Sequence, residues 1–380
     1  METFWQSEQI LFDGDDFFDC LIRDIDEAKS YITVEVYIFR DDILGRKLAM
    51  HLIAAQERGV KVQIIVDGMG SHDFSEKLQL LFQRKNIQVK VFNPLPFYHP
   101  FYGELTYLRK IQVMFARLIR INKRNHRKII TIDQRIMYTG SFNFTAEHTR
   151  FHHDKKWKDM GVRVSGEQVV YGVLNFKKNW KLRDYYRYKK HARRVQIPHW
   201  RHSPLRLNQT VFMRRYFYKN LLSRINKAEK IIWLTTPYFI PKRKFIKLLG
   251  KAAERGVDTR LLVSFKSDVK LFRTLQYFYY GSLIKKGVKI YHYTDTVLHA
   301  KNYIIDDWIT IGSSNLNHRS LLHDLEVDLI IQDDVNKELI KKKFIESTSE
   351  KNSISIEDLN RRPFFDRFLS RLLFTFKYWF

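Results

Sequence analysis

The sequence predicts an α/β protein of two duplicated α-β-α halves packed side by side, with the functional site between them. Three observations carry this. Blocks of sequence recur at corresponding places along the chain, the strand-like blocks are near-continuous apolar runs, and each half closes on the same set of polar residues. Unbroken apolar strands are those of a sheet covered by helices on both faces. With 380 residues, 44% hydrophobic and 15% aromatic, the chain can bury a core and suggests about two domains.

The first half spans 1–180. Its opening, METFWQSEQILFDGDDFF, is acidic and lacks the basic and apolar regions of a signal peptide, and nowhere do about 18 uninterrupted apolar residues occur. Neither secretion nor a membrane span is expected. Cys20, in FFDCLI, is the only cysteine; it rules out an internal disulfide framework and a cysteine-based zinc site, and reads as a small core residue. AKSYITVEVYIF (28–39) reads as a strand, AAQERGVKVQIIVD (54–67) as a helix end, a glycine and a strand, and NIQVKVF (86–92) as a third strand. The second half, 207–350, repeats them as AEKIIWLTTPYFI (228–240), AAERGVDTRLLVS (252–264) and GVKIYHY (287–293). Between the halves, 181–206 carries nine Lys/Arg, three His and one acid, a basic connection with its charges facing solvent or lipid phosphate.

Each half then reaches its polar constellation. The first is HRKIITIDQRIMYTGSFN, with His126, Lys128, Asp133, Gly140, Ser141 and Asn143; the second is HAKNYIIDDWITIGSSN, with His299, Lys301, Asp306, Gly312, Ser313 and Asn315. Six specified positions arise by chance at about one in 10^7 to 10^8 starting points, and here they occur twice. In an extended strand residues two apart share a face, so His126 and Lys128 project together while Ile129, Ile130 and Ile132 pack. A turn near Asp133 to Arg135 returns the chain and brings Ser141 and Asn143 back beside them. Two such clusters facing each other give two imidazoles and a ring of donors around one phosphate, suited to phosphoryl transfer without a metal or other cofactor.

On these residues the chain resembles the HxKxxxxD phospholipase D superfamily, whose members cleave phosphodiesters through a phosphohistidine. RNHRKIITID around His126, TPYFIP (236–241), YIF followed by Asp41 and Gly45, and SSNLNHRSLLHDLE (313–326) are similar to the bacterial cardiolipin synthase branch. The resemblance implies two phospholipase D-like halves, and transfer of a phosphatidyl group between two phosphatidylglycerol molecules to give cardiolipin and glycerol. It implies His126 as nucleophile and His299 as acid and base. Lys128, Lys301, Ser141, Asn143, Ser313 and Asn315 are expected on the phosphate oxygens. Asp133 and Asp306 complete the catalytic motifs, and are expected to brace the hairpins. A histidine nucleophile also needs its second nitrogen held, and Asp159 and Glu326, acids following each motif, are the expected orienters. Three departures stand out: Asp306 to Gly312 is one residue shorter than Asp133 to Gly140, Asn317 stands where the pattern has Asp, and Asp324 where it has Asn.

The excess of 67 Lys+Arg over 41 Asp+Glu, a net +26, calls for a polyanionic partner. The stretch from Arg109 to Lys128 holds eight Lys/Arg and no acid among apolar residues, and reads either as a membrane-surface helix or as a solvated face packed on the core. The C-terminal segment, 351–380, ends in RRPFFDRFLSRLLFTFKYWF, an amphipathic pattern expected to lie in a membrane interface. The expected partners are therefore phosphatidylglycerol and the cytoplasmic face of a bacterial cell membrane, bound peripherally; the oligomeric state stays open. The alternative is a phosphodiesterase of the same superfamily that hydrolyses phospholipid or nucleic acid. The charge suits nucleic acid, but no recognised nucleic-acid-binding motif accompanies it.

Overall fold

The computed structural model describes residues 4–72, 74, 76–96, 107–121, 123–152, 155–181, 200–266 and 270–363. The tail from 364 onward and most of the basic connection lie outside them. The first half contributes strands β1 (Ser7–Leu11), β2 (Tyr31–Val36), β3 (Lys61–Asp67), β4 (Gln88–Phe92), β5 (Ile129–Ile132), β6 (Ile136–Gly140) and β7 (Gly161–Ser165). The second contributes β8 (Leu205–Leu207), β9 (Ile231–Thr236), β10 (Phe239–Ile240), β11 (Asp258–Lys266), β12 (Lys289–Val297), β13 (Asn302–Ile305), β14 (Trp308–Gly312), β15 (Leu316–Asn317) and β16 (Val327–Ile330).

Two seven-stranded sheets result, ordered β1-β7-β6-β5-β2-β3-β4 and β8-β16-β14-β13-β9-β11-β12. The orders correspond strand for strand. In each, three parallel strands joined by helices meet an antiparallel hairpin, β5–β6 or β13–β14, against the first of them. The repeated RGV sequence ends two equivalent helices, Ile43–Glu57 and Arg243–Glu254, with Gly59 and Gly256 at φ of 91° and 90°, a left-handed turn that only glycine adopts without cost.

Each half has its own core. Phe17, Phe18, Leu21 and Ile25 on helix Gly14–Glu27 pack with Leu48, Leu52 and Ile64 in the first; Leu249, Leu261, Leu275 and Leu283 do so in the second. A third core joins the halves: Ile129, Met137, Val162 and Val164 from one sheet meet Leu205, Leu207, Ile309, Ile311, Val327 and Leu329 from the other. Each fully buried Ile or Val there contributes about 1.5–3 kcal/mol, so the halves are fixed to one another rather than tethered. Two expectations change. Of the eight cations between Arg109 and Lys128, Arg124, Arg127 and Lys128 are buried inside the protein, and only the helix Tyr107–Arg120 remains as a surface element. At the end of the connection, Arg206 is likewise buried, 4.4 Å from the Phe217 ring and 5.2 Å from that of Trp308.

Candidate active site

Each histidine stands just before its hairpin, at a point where the halves exchange backbone hydrogen bonds. The His126 N–H donates to Leu325 O at 2.9 Å and the Leu325 N–H to Arg124 O at 3.0 Å. The mirror pair is the His299 N–H to Lys158 O and the Lys158 N–H to Val297 O, both 2.8 Å. The segment leading to each histidine is thus zipped to the segment leading to the other half's carboxylate. His126 Nδ1 donates to Glu326 Oε2 at 3.0 Å, with Ser313 O at 3.1 Å, and His299 Nδ1 donates to Asp159 Oδ2 at 2.7 Å. Since a carbonyl can only accept, the His126 proton sits on Nδ1 and leaves the Nε2 lone pair free.

Behind each carboxylate stands a serine. Ser141 Oγ hydrogen-bonds to Asp159 Oδ1 and Ser313 Oγ to Glu326 Oε2, and both serines are fully buried. In the structure these hydroxyls hold the orienting acids, because the arms β6 and β14 end alongside the strands that carry those acids. Lys128 and Lys301 complete the floor, each about 1% exposed, with Nζ donating to its own motif's histidine carbonyl at 2.8 and 2.5 Å. Asn143 and Asn315 are buried beside them with Oδ1 lacking a hydrogen-bond partner among the described residues.

Burial and crowding set the charges. Burial, then the Lys128 and Lys301 ammonium groups, holds the His126 imidazole well below its usual range; burial and Lys301 lower His299 likewise. Lys128 is pushed down to about 7 by burial and by Lys301. The two acids diverge. Burial works to raise Asp159, but His299, His148 and Lys301 outweigh it and keep the carboxyl below the usual carboxylate range. Burial wins at Glu326, which is pushed up to about 7.

The sequence matches a known family. The family described as cardiolipin synthase, phospholipase D-like domain, matches residues 21–180 and 221–347, both motifs included. The chain belongs to that family. Among its relatives, cardiolipin synthase B of Escherichia coli (strain K12) is 29% identical over 331 residues, covering 86% of this chain and 76% of that protein. Cardiolipin synthase 2 of Staphylococcus epidermidis (strain ATCC 35984) is 30% identical over 381 residues, covering 96% and 73%. In fold, the chain is similar to the crystal structure of phosphatidylserine synthase from Haemophilus influenzae Rd KW20, with a TM-score of 0.69 over 97% of this chain and 93% of that one, at 14% identity.

Not every motif residue of this cardiolipin synthase family member reaches the cleft. Asp133 lies at the far end of the first hairpin, at φ 50°, and accepts N–H groups of Lys29, Ser30 and Tyr31 at 2.7–3.0 Å. Asp306, φ 51°, does the same for Glu229, Lys230 and Ile231 at 2.9–3.1 Å. They tie each hairpin to the start of the neighbouring strand and are braces, not catalytic groups. The shorter second motif is absorbed in the turn: Ile132 pairs with Ile136 across three residues, and Ile305 with Trp308 across two. Ser313 accordingly keeps the place that Ser141 has. Asn317 caps helix His318–Leu322 by accepting the Ser320 N–H at 2.8 Å. Asp324 accepts from the Arg124 N–H at 3.2 Å and Arg319 Nε at 3.0 Å.

Three side chains were missed by sequence reasoning. The Tyr37 ring stands 4.7 Å from that of His126, with Lys128 Nζ 5.3 Å from its face; the Trp157 ring is 5.7 Å from that of His299. His148 is fully buried beside Asp159. His148, Asp159 and His299 offer ligand atoms within 4.8 Å of one another, a spacing open to a divalent cation. However, His148 Nε2 accepts the Asn143 N–H at 3.3 Å, which puts the ring proton on Nδ1; Nδ1 lies 3.2 Å from Asp159 Oδ2 but has no hydrogen-bond partner among the described residues. A cation on Nδ1 would drive that proton to Nε2, against the Asn143 N–H, which disfavours a metal at these three groups.

Proposed function

We propose that this cleft transfers a phosphatidyl group from one phosphatidylglycerol to the hydroxyl of a second through a phosphohistidine on His126. As a member of its family the protein is a cardiolipin synthase-like phosphatidyltransferase, and its substrates are phospholipids. The observation that carries the stepwise reading is the pair of imidazoles, each held at Nδ1 by a buried acid of the opposite half.

Nε2 of His126 attacks phosphorus, and the bond to the departing glycerol oxygen breaks as His299 Nε2–H protonates it. His299, now neutral, takes the proton from the hydroxyl of the second phosphatidylglycerol. That oxygen attacks the phosphohistidine, forming cardiolipin and returning the electron pair to His126. Lys128 and Lys301 neutralise the non-bridging oxygens, and the side-chain NH2 groups of the buried Asn143 and Asn315, the donor ends of those amides, complete the cradle.

A peripheral seat on the cytoplasmic face of an anionic membrane suits the net charge of +26. On helix Tyr107–Arg120, Phe115 and Leu118 are 59% and 42% exposed, apolar groups among cations. Among the described residues no helix is long and apolar enough to cross a membrane. Purified protein given phosphatidylglycerol vesicles should release glycerol and form cardiolipin, unaffected by chelators. Phosphatidic acid without cardiolipin would make water the acceptor, and cleavage of labelled DNA with inert lipid would overturn the lipid reading.

A further inference from the structure

Against the segment that carries His126 packs a buried polar cluster that the steps above do not use. Glu35, near the end of β2, has no exposure. Its carboxylate accepts hydrogen bonds from Asn125 Nδ2 at 2.7 Å, and from Asn179 Nδ2 and Asn175 Nδ2 of helix Val170–Lys181 at 2.8 and 3.2 Å. Arg127, equally buried, places Nη1 3.7 Å from the same carboxylate and donates from Nε to Glu326 O at 3.1 Å. The residues on both sides of His126 are thus tied to Glu35, and one of them also holds the main chain of the acid that fixes His126 Nδ1. The Glu326 N–H is held in turn by Asn208 Oδ1 at 2.6 Å.

The duplication supplies a control. Counting from the histidines, Leu298 and Ala300 stand where Asn125 and Arg127 do; by strand register Thr235, opposite Asn302, stands where Glu35 lies opposite Ile129. Leu298 and Ala300 belong to the core shared by the halves, and the second half builds the same sheet order without a carboxylate or a guanidinium at these places. A buried charge pair carries a desolvation cost that an apolar set avoids, and Arg127 Nη2 is left without a hydrogen-bond partner among the described residues. The stability of the fold therefore does not account for the cluster. What distinguishes the first half, on the reading above, is the attacking nitrogen, whose lone pair must be aimed at phosphorus to within ~0.5 Å.

We infer that Glu35 and Arg127 are positioning residues that fix His126 and Glu326 as one unit: Glu35 anchors the chain on either side of the histidine, and Arg127 carries that anchor across to the acid of the other half. This rests on the reading of His126 as the nucleophile.

The test compares the full chain with Glu35→Gln, Arg127→Met and Arg127→Lys, the last keeping a cation beside Glu35 without the fork that also reaches Glu326 O. On phosphatidylglycerol vesicles kcat should fall about ten- to hundredfold in Glu35→Gln and Arg127→Met, the worth of one hydrogen bond to a charged group, with KM within about twofold, and Arg127→Lys should fall between these and wild type. Nitrogen NMR of the imidazoles separates positioning from packing. The His126 ring should lose its preference for the Nδ1–H tautomer, while the His299 ring, whose segment has no such cluster, should keep its wild-type signals. Unchanged kcat or an unmoved His126 ring would overturn the inference, and so would equal shifts of both imidazoles, the behaviour of a loosened fold. A wild-type protein that makes no cardiolipin, yet whose His126 ring alone moves in the variants, would sink the transfer reading and leave the anchor standing. Should Arg127→Met not fold, Glu35→Gln and Arg127→Lys decide on the same two readouts.

Discussion

His126 and His299 are chemically the same residue in two different settings. Each has Nδ1 fixed by an acid, so removing either acid should cost nearly as much as removing the histidine it serves. Glu326→Ala and Asp159→Ala are each expected to lower kcat by about 10^3-fold or more, and the double variant Asp159→Ala with His299→Ala should lose little beyond the single ones, read from product formation on vesicles. Lys128 sets a pH limit. Its ammonium is pushed down to about 7, so the charge meant for phosphate is lost as pH rises through about 7, and kcat/KM should fall there; a flat profile into the alkaline range would reject this role. Asp324 makes a stability prediction. Burial pushes its carboxyl up to about 7 from an ordinary 3.8, so the folded protein holds a proton that the unfolded chain releases. That stabilisation is full below the ordinary value and lost as pH rises through about 7. Asp324→Asn keeps an acceptor for the Arg124 N–H and cannot ionise, so unfolding measured between roughly pH 5 and pH 8 should lose less stability than wild type; an equal loss would place the titration elsewhere.

At the scale of elements, the hairpin explains why the motif contains the residues it does. Asp133 and Asp306 brace the turn, the alternation in β5 and β13 sends apolar side chains to the cores, and Gly140 and Gly312 let the returning arm pass close to its neighbour. A Cβ on Gly140 would lie 2.6 Å from Gly161 Cα and from Met160 O, and its φ of 138° is one that other residues rarely adopt. On Gly312 it would lie 2.1 Å from Asp328 Oδ1 and 2.4 Å from Val327 O. Gly140→Ala should therefore destabilise by about 2 kcal/mol or more and also displace Ser141, so that activity drops further than stability accounts for. Thermal unfolding together with kcat checks this, and a variant with unchanged melting would refute the close approach. The motif spacing already announced this hairpin in the sequence. Its turn lengths, three residues against two, were legible as a difference of one, but the direction in which Ser141 and Ser313 point was not, because that depends on the neighbouring strands β7 and β16.

At the scale of the molecule, the halves are locked by polar groups as well as by the shared core. Arg124 is buried against Asp67 at 3.2 Å, donates to Asn93 O at 2.8 Å, and gives its own N–H to Asp324 of the other half. Arg124→Ala removes the cation from buried Asp67, which keeps only the N–H groups of Met69, Gly70 and Asn125, and should cost about 3–5 kcal/mol, measured by denaturant unfolding; a loss below about 1 kcal/mol would mean that this ion pair within the first half adds little to stability. The buried Arg124, Arg127 and Arg206 also show why charge counted along a chain misleads, since these cations serve the interior and are not offered to a polyanionic partner. By itself the sequence determined the duplication, the α/β class, the two histidines with their lysines, and the family, because these are carried by local spacing and by repetition within one strand or hairpin. Only the tertiary structure decided which acid serves which histidine, that each serine hydrogen-bonds one of those acids, and that His148 stands between Asn143 and Asp159. Those contacts join residues up to 200 positions apart across the interface of two folded halves, and no local periodicity encodes such a pairing.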